Sequence, residues 1–191
     1  MEREPEHFLQ LASGASFNLT GPISRVSIFD VADGLAKINR FCGATRVPYS
    51  VAQHSVHVSL LVKKRGGDLA EQMSGLMHDA HEIAVGDIPS PTKRLLSGGL
   101  FRSIEKDIQS RASMPAGMDC REMTSPVALC DLIALATEKR DLMLPSEREW
   151  FALPDPDKKI IKPVGWKASR KLFLARFFKL KTKLSLEQWE C

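Results

Sequence analysis

An all-α fold is predicted by three features of the sequence. Apolar residues recur at helical spacing, as Val31, Leu35 and Ile38 do, and as Phe173, Phe177, Leu180 and Leu184 do at i, i+4, i+7 and i+11. Residues that open helices stand just ahead of such segments: Asp30, Ser50 and Asp68 as caps, and Pro126 in a first turn. Almost no segment shows the period-two alternation of a half-buried strand.

The elements follow in order. Residues 1–27 read as irregular, with Gly14, Gly21 and Pro22 as breakers. Asp30 is expected to cap a helix over "VADGLAKINRFC". "GATRVPYS" is a loop, and Ser50 caps "VAQHSVHVSLLVKK", which ends at Gly66-Gly67. Asp68 caps "LAEQMSGLMHDAHEIAVG", read as one helix. "DIPSPTKRLL" opens as a Pro-rich turn that no helix interior tolerates. A helix from Leu100 to Ala112, the loop "SMPAGMDC" and the helix "VALCDLIALATEKRDLML" come next. "PDPDKKIIKPVG" is a linker to a last helix that begins near Trp166.

At 191 residues the chain is expected to form one domain over 1–191, long enough to bury roughly 70% of its unfolded surface. A composition of 43% hydrophobic and 26% charged residues excludes the disordered class and suits a soluble globular protein. The cysteines at 42, 120, 130 and 191 form no CxxC pair and match no zinc-finger spacing; they read as reduced cytosolic thiols. The start, "MEREPEHFLQ", has no apolar run, and no stretch is long enough for a membrane span, so a cytoplasmic protein is expected. From Lys158 to Leu186 there are ten basic residues and no acid. Such a segment suits nucleic acid, a membrane surface, or simply a solvated helix face.

The stretch "GLMHDAHEIAVGDIPSP" spends two of the five histidines and three carboxylates on one short region. His78 and Asp79 are adjacent, about 100° apart on a helix, and can reach one cation. His54 lies near the start of one predicted helix and Asp131 near the start of another. Two imidazoles and two carboxylates suit one divalent transition metal, with open positions for water. Glu82, at i+4 from His78, would share its face and handle a proton; Asp87 is a second carboxylate near the same end. A His-Asp pair also suits a hydrogen-bonded core, and Asp131 alone suits a helix start. His57 and His81 read as structural or solvent-facing, and His7 as a tail residue.

Taken together, His54, His78-Asp79 and Asp131 resemble the His…His-Asp…Asp pattern of the HD-domain phosphohydrolases. "YSVAQHSVHVS", "LMHDAHEIAVGDIPSPTKRLL" and "ATEKRDLM" are similar to a phage and bacterial branch. That branch includes the YfbR-like 5′-deoxynucleotidases and the DatZ-type viral dATP triphosphohydrolases. The resemblance covers residues from about Phe17 to Phe177 and implies an HD-domain helical bundle, with a core over about 17–180. It implies His54, His78, Asp79 and Asp131 as ligands of one divalent metal (Zn²⁺, Co²⁺ or Mn²⁺), Glu82 as the catalytic carboxylate, and Asp87 as an aid to water or leaving group.

Arg40 and Phe41 resemble the family's arginine-aromatic pair, near phosphates and base respectively, with Phe41 where the family often has Trp. Lys93 resembles a phosphate-contacting lysine, and Pro91 would line the base pocket; Arg46, Lys139 and Arg140 read as solvated charges or further phosphate contacts. The implied activity is cleavage of dATP to deoxyadenosine and triphosphate, which in a DatZ context clears dATP for a virus that uses 2-aminoadenine. A 5′-deoxynucleotidase acting on dNMPs is the alternative. Further rivals are a non-enzymatic HD scaffold that docks nucleic acid through the basic segment and a hydrolase of cyclic nucleotides or (p)ppGpp. A homo-oligomer, dimer or hexamer, is expected as in relatives, with neither membrane nor obligate nucleic acid as partner.

Overall fold

Helix α2 (Val51–Lys64) is the element around which the others assemble. In the computed structural model, which describes residues 7–21, 26–96 and 99–187, it packs against four other helices. These are α1 (Ile28–Lys37), α3 (Leu69–Met77), α7 (Ser125–Leu142) and α8 (Trp166–Glu187). Its sequence explains the position. Val51, Ala52, His54, Ser55, Val58, Ser59, Leu61 and Val62 are all buried, so no broad polar face is left before the lysines of the last turn. A helix without a polar face belongs inside a bundle.

The short helices α4 (Glu82–Val85) and α5 (Ser90–Leu95) and the longer α6 (Leu100–Ala112) complete the helical set among the described residues. The all-α expectation holds. A small antiparallel hairpin, β1 (Phe8–Gln10) and β2 (Ser16–Asn18), lies in the stretch read as irregular, with Leu9 opposite Phe17. Three-residue strands are too short to show a period, yet Phe17 is fully buried in the main core. Pro22 and Cys191 lie outside the described residues.

Ser50 and Asp68 cap α2 and α3 as expected. Ser50 accepts from the Gln53 N–H, and Asp68 forms a reciprocal capping box with Glu71. Asp30 does not cap α1; Ser27 does, and Asp30 sits inside the first turn. There its carboxylate accepts from Ser27 Oγ (2.8 Å), Ser13 N (3.0 Å) and Ser13 Oγ (2.9 Å), which tethers the hairpin loop to α1. The same helix stops at Lys37 instead of reaching Cys42, because Arg40–Gly43 winds into a separate 3-10 turn.

The main core joins Val31 and Leu35 of α1, Met73, Leu76 and Met77 of α3, Ile108 of α6, and Phe173, Phe177 and Leu180 of α8. A second cluster seals α2 against α7 through Val58, Leu61 and Val62 with Val127, Cys130, Ile133 and Ala134. Among the described cysteines, Cys120 and Cys130 are buried and Cys42 is exposed, all as free thiols.

The basic C-terminal segment divides by direction. Arg176 turns inward and donates to Ser59 Oγ (3.0 Å), Ser59 O (3.1 Å) and Gln72 Oε1 (2.8 Å), pinning α8 to α2 and α3. Arg170 pairs with Asp33, and Lys181 donates to Ala116 O (2.9 Å). Lys167, Lys171, Lys179 and Lys183 stay exposed, the solvated face expected of them. No described helix is long and apolar enough to cross a membrane.

Because Phe173 is fully buried between helices, Phe173→Ala is expected to cost about 3–5 kcal/mol. Leu172→Ala, at a position 45% exposed on the same helix, should stay within about 0.5 kcal/mol. Urea unfolding of both variants checks the contrast.

Candidate metal centre

The His-Asp dipeptide sits where a helix is split. Spacing and capping predict one continuous helix over Leu69–Gly86. The structure instead ends α3 at Met77, resumes with α4 at Glu82, and joins them through a tight turn. The cause is the amide of Gln109, on α6. Its Nε2 donates to Met77 O (2.7 Å), and its Oε1 accepts from His81 N (2.9 Å). These are the two backbone groups that a continuous helix would join to each other. The intervening residues tighten to i+3 bonds, Ala80 N to Met77 O (3.0 Å) and Glu82 N to Asp79 O (3.1 Å). An inserted side chain is a recognised way to break a helical ladder. His78 and Glu82 therefore stand on two helix ends, not on one helix face.

His78 is nearly buried, and its Nδ1 lies 2.9 Å from Gly75 O. A carbonyl only accepts, so Nδ1 carries the proton and Nε2 is left as a ligand atom. His54, fully buried on α2, follows the same logic: its Nδ1 donates to Glu138 Oε1 at 2.6 Å. The two Nε2 atoms then face each other at 3.3 Å. Asp131 on α7 brings Oδ1 to 3.1 Å from His54 Nε2 and 3.7 Å from His78 Nε2. Asp79 brings Oδ2 to 3.4 and 3.2 Å from the same two atoms.

His54, His78 and Asp131 form a group that could hold a metal ion, their ligand atoms all within 4.8 Å of one another. For metal bonds of about 2.1 Å, neighbouring ligand atoms stand about 3.0 Å apart in an octahedron and about 3.4 Å in a tetrahedron. The spacings involving Asp79 lie in that range too. Asp79 Oδ2 is also a buried oxygen that accepts no hydrogen bond, which a cation would satisfy.

The charges agree with this geometry. Burial, and Arg40 nearby, disfavour a charged His54, but Glu138 and Asp131 outweigh them and raise its pKa. His78 is likewise raised well above its ordinary value against the cost of burial, first by Asp79 and then by Asp131. Asp79 and Asp131 are held low by the imidazoles despite burial. The cluster thus gathers positive charge, protons when nothing else is present.

Glu82 is almost fully buried, and burial, then Asp79 and Asp87, push its carboxyl well above the usual range. Its Oε2 accepts no hydrogen bond. Asp87 has a structural partner: Oδ2 accepts from the Phe41 N–H at 2.8 Å, while Oδ1 lies 4.0 Å from Arg40 Nη1. That bond holds a turn in which Phe41 (φ 56°) and Cys42 (φ 51°) are both left-handed, unusual without glycine. Arg40 reaches the centre, with Nη1 3.6 Å from Asp79 Oδ2. Its guanidinium also lies over the Phe41 ring, 5.3 Å from the centroid.

Lys93 Nζ is paired with Glu105 Oε1 at 2.7 Å, and Pro91 is exposed in the first turn of α5. Arg46 donates to Asp141 O (2.6 Å) at the end of α7, and Arg140 binds Asp141 and the Asp157 and Lys159 carbonyls, tying down the stretch after α7. His81 is used by Gln109, with Nδ1 3.0 Å from its Oε1, and His57 faces Asp157 at 3.9 Å; both stand apart from the ligand group, as expected. His7 lies 3.5 Å from Thr20 Oγ1 beside the hairpin.

Sequence reasoning missed two residues. Glu138 buttresses His54, and its spacing of seven from Asp131, about two helical turns, was a usable signal. Trp150 packs its ring 6.3 Å from that of Phe41, with Lys139 Nζ over the Trp150 ring, 5.2 Å from its centroid; it comes from an irregular segment that no periodicity marks.

Two outcomes follow for the purified protein. Since the imidazoles hold protons without metal, Co²⁺ uptake should release one or two protons and tighten as pH rises, up to about tenfold per pH unit per proton. Calorimetry in buffers of different ionisation heat reads this, and pH-independent binding would refute it. Gln109→Leu leaves Met77 O and His81 N without side-chain partners and should cost about 1–3 kcal/mol. The same variant should weaken Co²⁺ binding about 10–100-fold, as losses behind metal ligands do.

No protein-family model matches the chain. It is 28% identical over 158 residues, 77% of this chain and 80% of the relative, to an uncharacterized protein of Rhodobacter capsulatus. It is 40% identical to the uncharacterized protein YfdR of Escherichia coli K12 over 128 residues, 67% of each chain. On that likeness, the chain belongs to the family of YfdR.

Proposed function

We propose that the protein is a metal-dependent phosphohydrolase of deoxynucleotides, acting on dATP to yield deoxyadenosine and triphosphate. The observation that carries the reading is the group of two buried histidines, His54 and His78, with the half-buried Asp131 and with Asp79 beside it, flanked by one arginine and one high-pKa carboxyl. Deoxynucleotides are polyanions, so a site for them needs fixed cations next to a water-activating centre.

When bound at His54, His78, Asp79 and Asp131, a divalent transition metal supplies Lewis-acid activation of water and of phosphoryl oxygens. Arg40 binds the phosphate next to the sugar, its Nη1 already turned toward Asp79 and Asp87. Water attacks the α-phosphorus, and the bond from that phosphorus to the 5′-oxygen breaks. Glu82, kept protonated by burial and its acidic neighbours, gives its proton to the leaving 5′-oxygen. The proton lost by water restores it. Asp87 holds the Arg40–Phe41 turn in place and adds a second acceptor for that proton. Phe41, backed by Trp150, offers an apolar wall to the base, with Pro91 toward solvent.

One observation favours the 5′-deoxynucleotidase alternative. Lys93, the lysine expected to contact phosphate and whose match favours a triphosphate, is already paired with Glu105 at 2.7 Å. A monophosphate would not need it.

The test is a product assay with each dNTP and each dNMP under Co²⁺, Mn²⁺, Zn²⁺ or Mg²⁺, with Asp79→Ala as the inactive control. Deoxyadenosine and triphosphate from dATP, with little from other dNTPs, support the main reading. Phosphate from several dNMPs alone moves the protein to the alternative, and no turnover with any metal sinks both. Glu82→Gln should lower kcat about 10²–10⁴-fold, the usual range for a lost acid-base group, while Co²⁺ still binds.

A further inference from the structure

We propose that Glu138 is a positioning residue that ties the candidate metal centre to Arg40. The Arg40 half rests on the phosphohydrolase reading; the His54 half rests on metal binding alone. Glu138 is fully buried on α7, two turns beyond Asp131 and on the same side of the helix. A buried carboxylate is costly unless it is paired and hydrogen-bonded. Both oxygens of Glu138 are engaged, by groups from different parts of the chain: Oε1 by His54 Nδ1 at 2.6 Å and Oε2 by Arg40 Nε at 3.1 Å.

Each bond has a consequence at the centre. The first fixes the His54 proton on Nδ1 and aims Nε2 at Asp131 Oδ1, His78 Nε2 and Asp79 Oδ2. The second occupies the Nε–H edge of the guanidinium, which sets its plane and leaves Nη1 turned toward Asp79 and Asp87. A guanidinium held by one edge offers its remaining N–H groups in a fixed direction, as phosphate recognition requires. One carboxylate thereby sets both the ligand tautomer and the orientation of the anion-binding arginine. The bland reading, a core carboxylate that only neutralises Arg40, would give the same burial but no separate effects on the two neighbours.

Glutamine separates the readings. With metal bound, His54 must keep Nδ1–H, so the amide of Glu138→Gln turns its oxygen to His54 and its NH₂ toward Arg40 Nε–H, donor against donor. Two quantities are measured on the full chain: Co²⁺ affinity by absorption titration, and binding of inorganic phosphate to the Co²⁺-saturated protein by ³¹P relaxation.

Glu138→Ala should weaken Co²⁺ binding about 10–100-fold, and Glu138→Gln less than about tenfold. Glu138→Gln should nonetheless weaken phosphate binding about tenfold at saturating Co²⁺, the equivalent of losing one well-placed hydrogen bond. The proposal is overturned if neither variant changes Co²⁺ affinity, if glutamine is as damaging to it as alanine, or if glutamine leaves phosphate binding intact. If the unaltered protein takes Co²⁺ but no phosphate, the phosphohydrolase reading falls together with the Arg40 half. The Co²⁺ series still decides the His54 half in that case. Should the alanine variant fail to fold, Glu138→Asp, one methylene too short to keep the 2.6 Å bond to His54 Nδ1, takes its place in the Co²⁺ series, and glutamine still decides the Arg40 half.

Discussion

The bond pattern of one buried amide, Gln109, governs where the site's chemistry stands. By taking the Met77 carbonyl and the His81 N–H, it substitutes for a bond of the helical ladder and splits α3 from α4 at the His-Asp dipeptide. It is itself fixed, because Nε2 also reaches Cys120 O at 3.0 Å and Oε1 meets His81 Nδ1. Four bonds on one side chain leave it no alternative rotamer of equal energy. The break lets His78 and Asp79 approach His54 together and lets Glu82 begin a new helix beneath them. An unbroken helix would carry these side chains around its surface at 100° steps.

Around that break the protein buries groups that a stable core would exclude. His54, His78, Glu82 and Glu138 are all nearly or fully buried, and Arg40 and Asp79 are close to it. Removing such charges from water is expensive, and their mutual attraction offsets the cost only in good geometry. The arrangement achieves this by alternation. Glu138 stands between Arg40 and His54, and the two aspartates face the two imidazoles. Oxygens of Asp79 and Glu82 are left without donors. A cation at the first and a proton at the second are the simplest means of satisfying them.

The turn that carries Arg40 adds local strain. Two consecutive non-glycine residues in the left-handed region cost about 1–3 kcal/mol each and persist only where surrounding structure insists on them. Here Asp87 supplies the restraint by accepting from the Phe41 N–H. Asp87 thus acts first on the backbone and through it on Arg40, a role invisible to anyone counting carboxylates. The same turn sets Phe41 against Trp150, which joins the loop after α7 to the edge of the site.

Much of this was legible in the chain, because helical period and capping chemistry are local. The stripe of Phe173, Phe177 and Leu180, the caps at Ser50 and Asp68, and the start of α8 at Trp166 all stand where spacing alone put them. The grouping of His54, His78 and Asp131 could also be anticipated from residue type and pattern. What local rules could not supply were contacts between distant parts of the chain. Gln109 is a plain polar residue in α6 until α3 lies beside it. Asp30 looks like a cap until the helix begins at Ile28 behind Ser27 and the hairpin loop meets the Asp30 carboxylate. Lys93 looks like a free cation until Glu105 is placed 2.7 Å away. The sequence by itself determined most of the helices, since period and caps depend on neighbours a few residues apart, and its residue types supplied the inventory of ligand atoms. Only the tertiary structure decided where the helix breaks, which charges are already paired and how Glu138 joins His54 to Arg40. Those outcomes depend on side chains from different elements, 28 to 32 positions apart at the helix break and 84 and 98 apart at Glu138, meeting in a space that excludes water.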